Sequence, residues 1–280
     1  MNEKLISEAL KEDCIEFKKA LFSRYSEHIN YSYSLFSTIV ETIEKNRELI
    51  KKNLDSDHKR VTTLLFYDCT RIYWGILVLC EDGFCRQAAI LLRSLMEKVI
   101  EIEWLAKLDL PERERKAKAF LDFEIVVRKQ LFDKYGEYDI FSKVDEKTRK
   151  VLLDNRDTTI AEYSKIEGNY PKNKKGFIFR WTKESFKDKA EKANKSALKD
   201  YDFYYWYLSF MVHSTVIGDV KYFEPSEMPL HSLLFLNIKY ILLAFNRWDL
   251  EFDLGLGELK KEFANKLGCL KNPIDPSSGI

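Results

Sequence analysis

Arg93 and Glu97 stand four residues apart in a stretch, Ala88 to Trp104, that is mostly apolar. At that spacing a guanidinium and a carboxylate share one side of a helix, where they can hold an anion or move a proton. Arg86 and Glu101 extend the same line by one or two turns. Burying a charge without a partner is costly, so each of these groups must pair or line a polar cavity. Arg preceding Glu is the less favourable order for a local pair, which points Arg93 toward something beyond its own helix. The plainer alternative is an ion pair that ties a neighbouring helix down.

A second group of residues runs from Tyr201 to His213, with six aromatics among Tyr201 to Tyr207. Helical spacing puts Tyr205, Ser209 and His213 on one face and Tyr204, Leu208, Met211 and Val212 on the core face. Ser209 is expected to bond a backbone carbonyl one turn earlier, since no acidic orienter or oxyanion donor accompanies a Ser-His nucleophile here. His213 is better suited to act as general acid or base on a bound ligand. The candidate catalytic set is therefore Arg93, Glu97, Ser209 and His213.

The third feature is charge. Between Lys165 and Lys199 there are eleven Lys or Arg against four Asp or Glu, in a chain whose formal net charge is only +1. A basic strip followed by stackable rings is what single-stranded nucleic acid or a nucleotide phosphate would use, and Lys172, Lys174, Lys175 and Arg180 are its candidate contacts. Against this, six rings among seven consecutive residues point all round a helix and must mostly be core, and lysine runs usually form a solvated face.

The elements that must position these groups are helices. Apolar residues recur at helical spacing almost throughout, without period-two alternation bounded by hairpin turns. The 280 residues, 45% hydrophobic, bury a core of their own and predict an all-α, irregular multi-helix bundle of about ten helices in a single domain. Ser56 or Asp57 caps a helix ending before Gly83, Asp109-Leu110-Pro111 opens one ending at Gly136, and Asp145 opens one ending at Gly168. Another lies between Gly83 and Asp109, further ones span 182–199, 201–216 and 227–248, and two long helices precede them all. Residues 1–55 are expected to be an N-terminal helical extension, 56–268 the core domain and 269–280 a flexible tail. The segment from Gly168 to Gly176 reads as a long loop, mobile or lid-like, without apolar anchors.

Absences narrow the chemistry. There is no phosphate-binding G-x-x-x-x-G-K-[ST] and no G-x-G-x-x-G, and the four histidines form neither H-E-x-x-H nor a Cys/His cluster, so no metal and no cofactor are expected. Asp249, Glu251 and Asp253 read as a solvated helix exit. Five cysteines without a C-x-x-C pair fit a reducing, cytoplasmic setting. Acids near Met1 argue against a signal peptide, and the apolar runs at 72–80 and 233–245 are too short or too polar for a membrane span.

The run Ala88-Ala89-Ile90-Leu91-Leu92-Arg93-Ser94-Leu95-Met96-Glu97, the lone Trp181 and Leu208-Ser209-x-x-x-His213 together resemble the domain-of-unknown-function 5677 family of bacterial helical proteins, over roughly residues 61–249. The resemblance implies that the family's Arg, Glu, Ser and His fall on Arg93, Glu97, Ser209 and His213. It carries no established activity, and by analogy implies a component of mobile or antiphage-defence gene sets, a toxin or effector. A looser similarity is to the HEPN superfamily of helical ribonucleases, which use an Arg and a His on one helix with four to six residues between. This chain departs from that motif, because Arg24 and His28 have only three between them. Cleavage would then need Arg93 to hold a phosphodiester while His213 moves the proton, without metal. The expectation is recognition of RNA or a nucleotide by a homodimer that is not bound to membrane. The alternative is a non-enzymatic regulatory or scaffold protein acting through protein partners, and whether the chain is an enzyme is left open.

Overall fold

The computed structural model describes residues 3–137, 140–173, 178, 180–193, 198–199, 201–205 and 227–269. Among these, nine α-helices occur and the one extended pairing is an isolated antiparallel bridge between Lys172 and Ile178. The helices are α1 (Glu3–Lys45), α2 (Arg47–Lys52), α3 (Asp57–Glu81), α4 (Cys85–Leu105), α5 (Leu110–Glu137), α6 (Glu146–Ile166), α7 (Phe186–Ala193), α8 (Glu227–Phe252) and α9 (Gly257–Cys269). The chain is an all-α bundle.

Boundaries follow local chemistry. Asp145 caps α6 by accepting the Thr148 N–H at 3.0 Å, Asp109 accepts the Glu112 N–H at 2.9 Å at the mouth of α5, and Pro111 occupies that helix's first turn, where an N–H has no partner to lose. Between α3 and α4 the chain turns at Gly83, whose φ of 80° favours glycine. In place of two long N-terminal helices there is one of 43 residues followed by a single short one. Residues 3–45 contain neither Gly nor Pro, and the break comes at Asn46, whose amide donates to the Thr42 carbonyl at 2.9 Å.

α3, α4 and α8 form the centre. Phe66 stacks on Trp248 at 4.6 Å between centroids, and both are fully buried along with Tyr73, Leu77, Leu92, Trp104 and Phe245. The second half of α1 packs against α3 and α8, α5 against α3 and α4, α6 against α5, α7 against α4 and α9 against α8. Polar bonds fix the register of the inner layer: the Asn237 amide donates to the Tyr73 carbonyl at 3.1 Å, and the Tyr73 hydroxyl to the Ser32 carbonyl at 3.0 Å. By length and composition α3 could cross a bilayer, which the shorter apolar runs in the sequence did not suggest, but half of its most apolar window is buried inside the bundle.

Two sequence expectations need correction. The loop after α6 does have apolar anchors: Tyr170 is buried beside Phe123 and donates to the Ala119 carbonyl at 3.0 Å, while the Gln130 amide holds the carbonyl of buried Ile178 at 2.8 Å. The loop is stapled to α5, so its described part is not a lid. The acidic end of α8 is not solvated either. Asp249 is buried, forms an ion pair with Lys260 and accepts the Leu256 N–H at 3.2 Å, and Glu251 faces His58 at 2.7 Å; only Asp253 is exposed, at a φ of 50°.

Candidate functional site

Seven residues of α4, from Glu97 to Glu103, carry three carboxylates, of which Glu97 pairs within the helix while Glu101 and Glu103 each reach a different element. Glu97 accepts from Arg93 Nε at 3.1 Å. Arg93 also donates through Nη2 to the Tyr205 hydroxyl at 2.6 Å, with its guanidinium carbon 4.6 Å from the centre of that ring. The expected second partner of Arg93 is therefore a tyrosine on the short π-helical turn Tyr201–Tyr205, whose two end rings stack at 4.5 Å and 20°. Burial pulls the Arg93 pKa down, and Tyr205 and Glu97 more than offset it, so the net direction is up and the cation is secure. Burial and the Glu97 carboxylate raise the Tyr205 pKa, so the phenol stays protonated. Arg93 and Glu97 are both half-buried, leaving one edge of this group open to solvent.

One turn beyond Glu97, Glu101 is buried. It accepts from Lys189 Nζ at 2.6 Å and from the Trp181 indole N–H at 3.2 Å. Glu103 takes a two-pronged bond from Arg247 of α8, at 3.1 and 2.9 Å. A fourth bridge lies alongside: Lys116 of α5 reaches both oxygens of Glu184, at 3.1 and 2.9 Å, and the Thr182 hydroxyl at 3.2 Å. Burial raises the Glu184 pKa, but the hydrogen bonds from Thr182 and Lys116 outweigh it and bring it down to about 2. In the first turn of α3, His58 bridges Glu114 at 2.5 Å and Glu251 at 2.7 Å, tying α3 to α5 and α8.

The sequence candidates fare unequally. Arg93 and Glu97 come together. Ser209, His213, Lys174 and Lys175 lie outside the described residues. Lys172 is exposed and paired with Glu167 at 2.5 Å, and Arg180 is exposed next to Trp181. The basic surplus is thinner than it reads, because Lys189 points inward and Lys172 is neutralised. A shallow depression of about 510 Å³ on α7 is lined by Lys183, Lys192, Glu184, Asp188 and Glu191, mixed in sign and so no phosphate cradle by itself. His28 is buried while Arg24, one turn away, is exposed, so the two do not share one surface. Among the described residues no group of three or more His, Cys, Asp or Glu side chains is placed to hold a metal ion. Sequence reasoning missed Lys189, Glu103–Arg247 and Lys116–Glu184. The signal for Lys189 was present, because Phe186, Lys189, Ala190 and Ala193 fall on one helical face and bring the lysine into the apolar stripe.

Fold and site together define a helical bundle whose central helix is fastened to its neighbours through charged side chains. Residues 58–227, from the first turn of α3 to the first residue of α8, match the model of a family of unknown function, DUF5677. The chain belongs to that family. Neither the curated proteins nor the solved structures gave a match.

Proposed function

We propose that the chain recognises a phosphate-bearing ligand, RNA or a nucleotide, through Arg93. The observation that carries this is the partly exposed guanidinium held in one orientation by Glu97 and the Tyr205 hydroxyl, beside the stacked pair Tyr201–Tyr205. A pre-oriented Arg loses little freedom on meeting a planar anion, and a tyrosine pair offers a base a ring to lie on. The exposed cations Arg180, Lys183 and Lys187 would add attraction without sequence preference. Cleavage would need a proton-transfer group, and the candidate, His213, lies outside the described residues, so binding is the activity proposed.

One observation favours a scaffold instead: Glu101, Glu103 and Glu184 are all satisfied by cations of the same chain, which suits charges that set helix register. Binding of fluorescein-labelled single-stranded RNA and of ADP, measured for the wild type and Arg93→Ala at low and physiological salt, separates the two. Loss of a charge-assisted contact is expected to weaken binding about tenfold or more, with Tm lowered by only a few degrees because a partly exposed pair with one further hydrogen bond contributes about 1–2 kcal/mol. Equal affinity for both proteins, or no binding at any salt, would leave the scaffold.

A further inference from the structure

Lys189 is 3% exposed, and what surrounds its ammonium group is a cage. Nζ lies 4.5 Å from the ring centre of Trp181, 5.1 Å from that of Trp104 and 4.9 Å from that of Phe186, with the Glu101 carboxylate at 2.6 Å. Three aromatic faces and one carboxylate around a desolvated cation are the elements by which proteins recognise ammonium ligands. Trp181 serves twice, since its indole N–H also donates to Glu101 and fixes where the negative charge sits. Lys116 lies 5.6 Å from the Trp104 ring centre and is committed to Glu184. Burial lowers the Lys189 pKa and Glu101 opposes it, as expected of a cation held by its surroundings.

The occupant rides on a weakly held element. α7 has eight residues, too few to be stable alone in water, and its buried side chains are Lys189, Ala190 and Ala193, with Phe186 partly buried. The outer face, Lys187, Asp188, Glu191 and Lys192, is exposed. Two alanines bury little apolar area, so the inserted lysine is the main hold. The lasting walls of the cage belong to α4 (Glu101, Trp104) and to the segment before α7 (Trp181).

We propose that Glu101, Trp104 and Trp181 form a recognition site for a primary ammonium group, filled in cis by Lys189, and that this occupation decides whether α7 stays docked on α4. The site uses residues about two turns along α4 from Arg93, and it stands whether or not a phosphate binds there.

The test is replacement of the occupant. Lys189→Ala leaves the cage empty and Glu101 without its cation, and Tm is expected to fall by roughly 5 °C or more. n-Butylammonium chloride, which matches the lysine arm, is expected to restore Tm along a saturating curve and to change tryptophan emission. Sodium chloride at equal ionic strength and 1-butanol are expected to do neither, and the wild type is expected not to respond. Lys189→Ala combined with Glu101→Gln is expected to lose the response. Hydrogen exchange over 186–193 is expected to be fast in Lys189→Ala and to stay fast with the amine bound, because the amine fills the cage without tethering the helix. Should Lys189→Ala not fold, refolding yield with and without butylammonium replaces Tm. A response equalled by 1-butanol or by the wild type, or no response at all, overturns the site; full exchange protection of α7 in Lys189→Ala overturns the latch.

Discussion

Acidifying the protein should cost it stability at one identifiable place. His28 of α1 is 3% exposed, its ring meets that of His231 of α8 edge-on at 5.1 Å, and its Nε2 has no hydrogen-bond partner among the described residues. Burial first, then His231, lower its pKa from 6.5 to about 4, with Glu27 pulling weakly the other way. The folded-state pKa thus lies below that of the unfolded chain. Above pH 6.5 the imidazole is neutral in both states and stability is unaffected; between about 6.5 and 4 the unfolded chain binds a proton the folded one refuses, so stability falls as pH falls. A depression of this size corresponds to about 3 kcal/mol lost by pH 4, at roughly 1.4 kcal/mol per pH unit in mid-window. His231, also lowered by burial, adds a loss of the same sign. Urea unfolding of the wild type and His28→Leu from pH 4 to 7.5 measures the difference, in which other titrating groups cancel. The wild type is expected to lose about 3 kcal/mol more than the variant over that window. Parallel profiles for the two proteins would refute the assignment.

Other expectations follow from single contacts. Glu103→Ala leaves Arg247 without its two-pronged partner and should cost about 3 kcal/mol in urea unfolding, much of it recovered by Glu103→Met with Arg247→Leu, because the penalty is mostly that of the orphaned charge. At Gly75, inside α3, an added Cβ would come 3.1 Å from Leu91 Cδ1, the end of a half-buried side chain that can give way. Gly75→Ala should therefore raise stability by roughly 0.5 kcal/mol through helix propensity, whereas Gly75→Leu should lower it, both read from thermal unfolding.

The helices were legible because their punctuation is local. Asp145, Asp109-Leu110-Pro111 and Gly83 each act on backbone groups within a turn, and their elements begin and end where those residues predict. The embedded charges of α4 were legible as a problem, since Arg93, Glu97 and Glu101 interrupt apolar sequence, but Glu103 was overlooked and no solution was visible for either Glu101 or Glu103. Their partners, Lys189 and Arg247, are 88 and 144 residues away, and spacing within a helix says nothing about which distant helix arrives. Two of the acids ending α8 misled for the same reason: Asp249 and Glu251 look solvated until Lys260 and His58 are brought to them by the α8–α9 turn and the start of α3, while Asp253 is exposed as expected. Tyr170 was discounted because polar neighbours hid one ring that α5 buries.

That Arg93 is an anion-binding group is tested most directly by nuclear magnetic resonance of the arginine Nε–H and tyrosine ring signals during titration with ADP. Saturable shifts centred on Arg93, Tyr201 and Tyr205, and absent from Arg93→Ala, are the predicted result. Signals that stay fixed at those three residues while only exposed lysines shift, in proportion to ligand and without saturation, would contradict it.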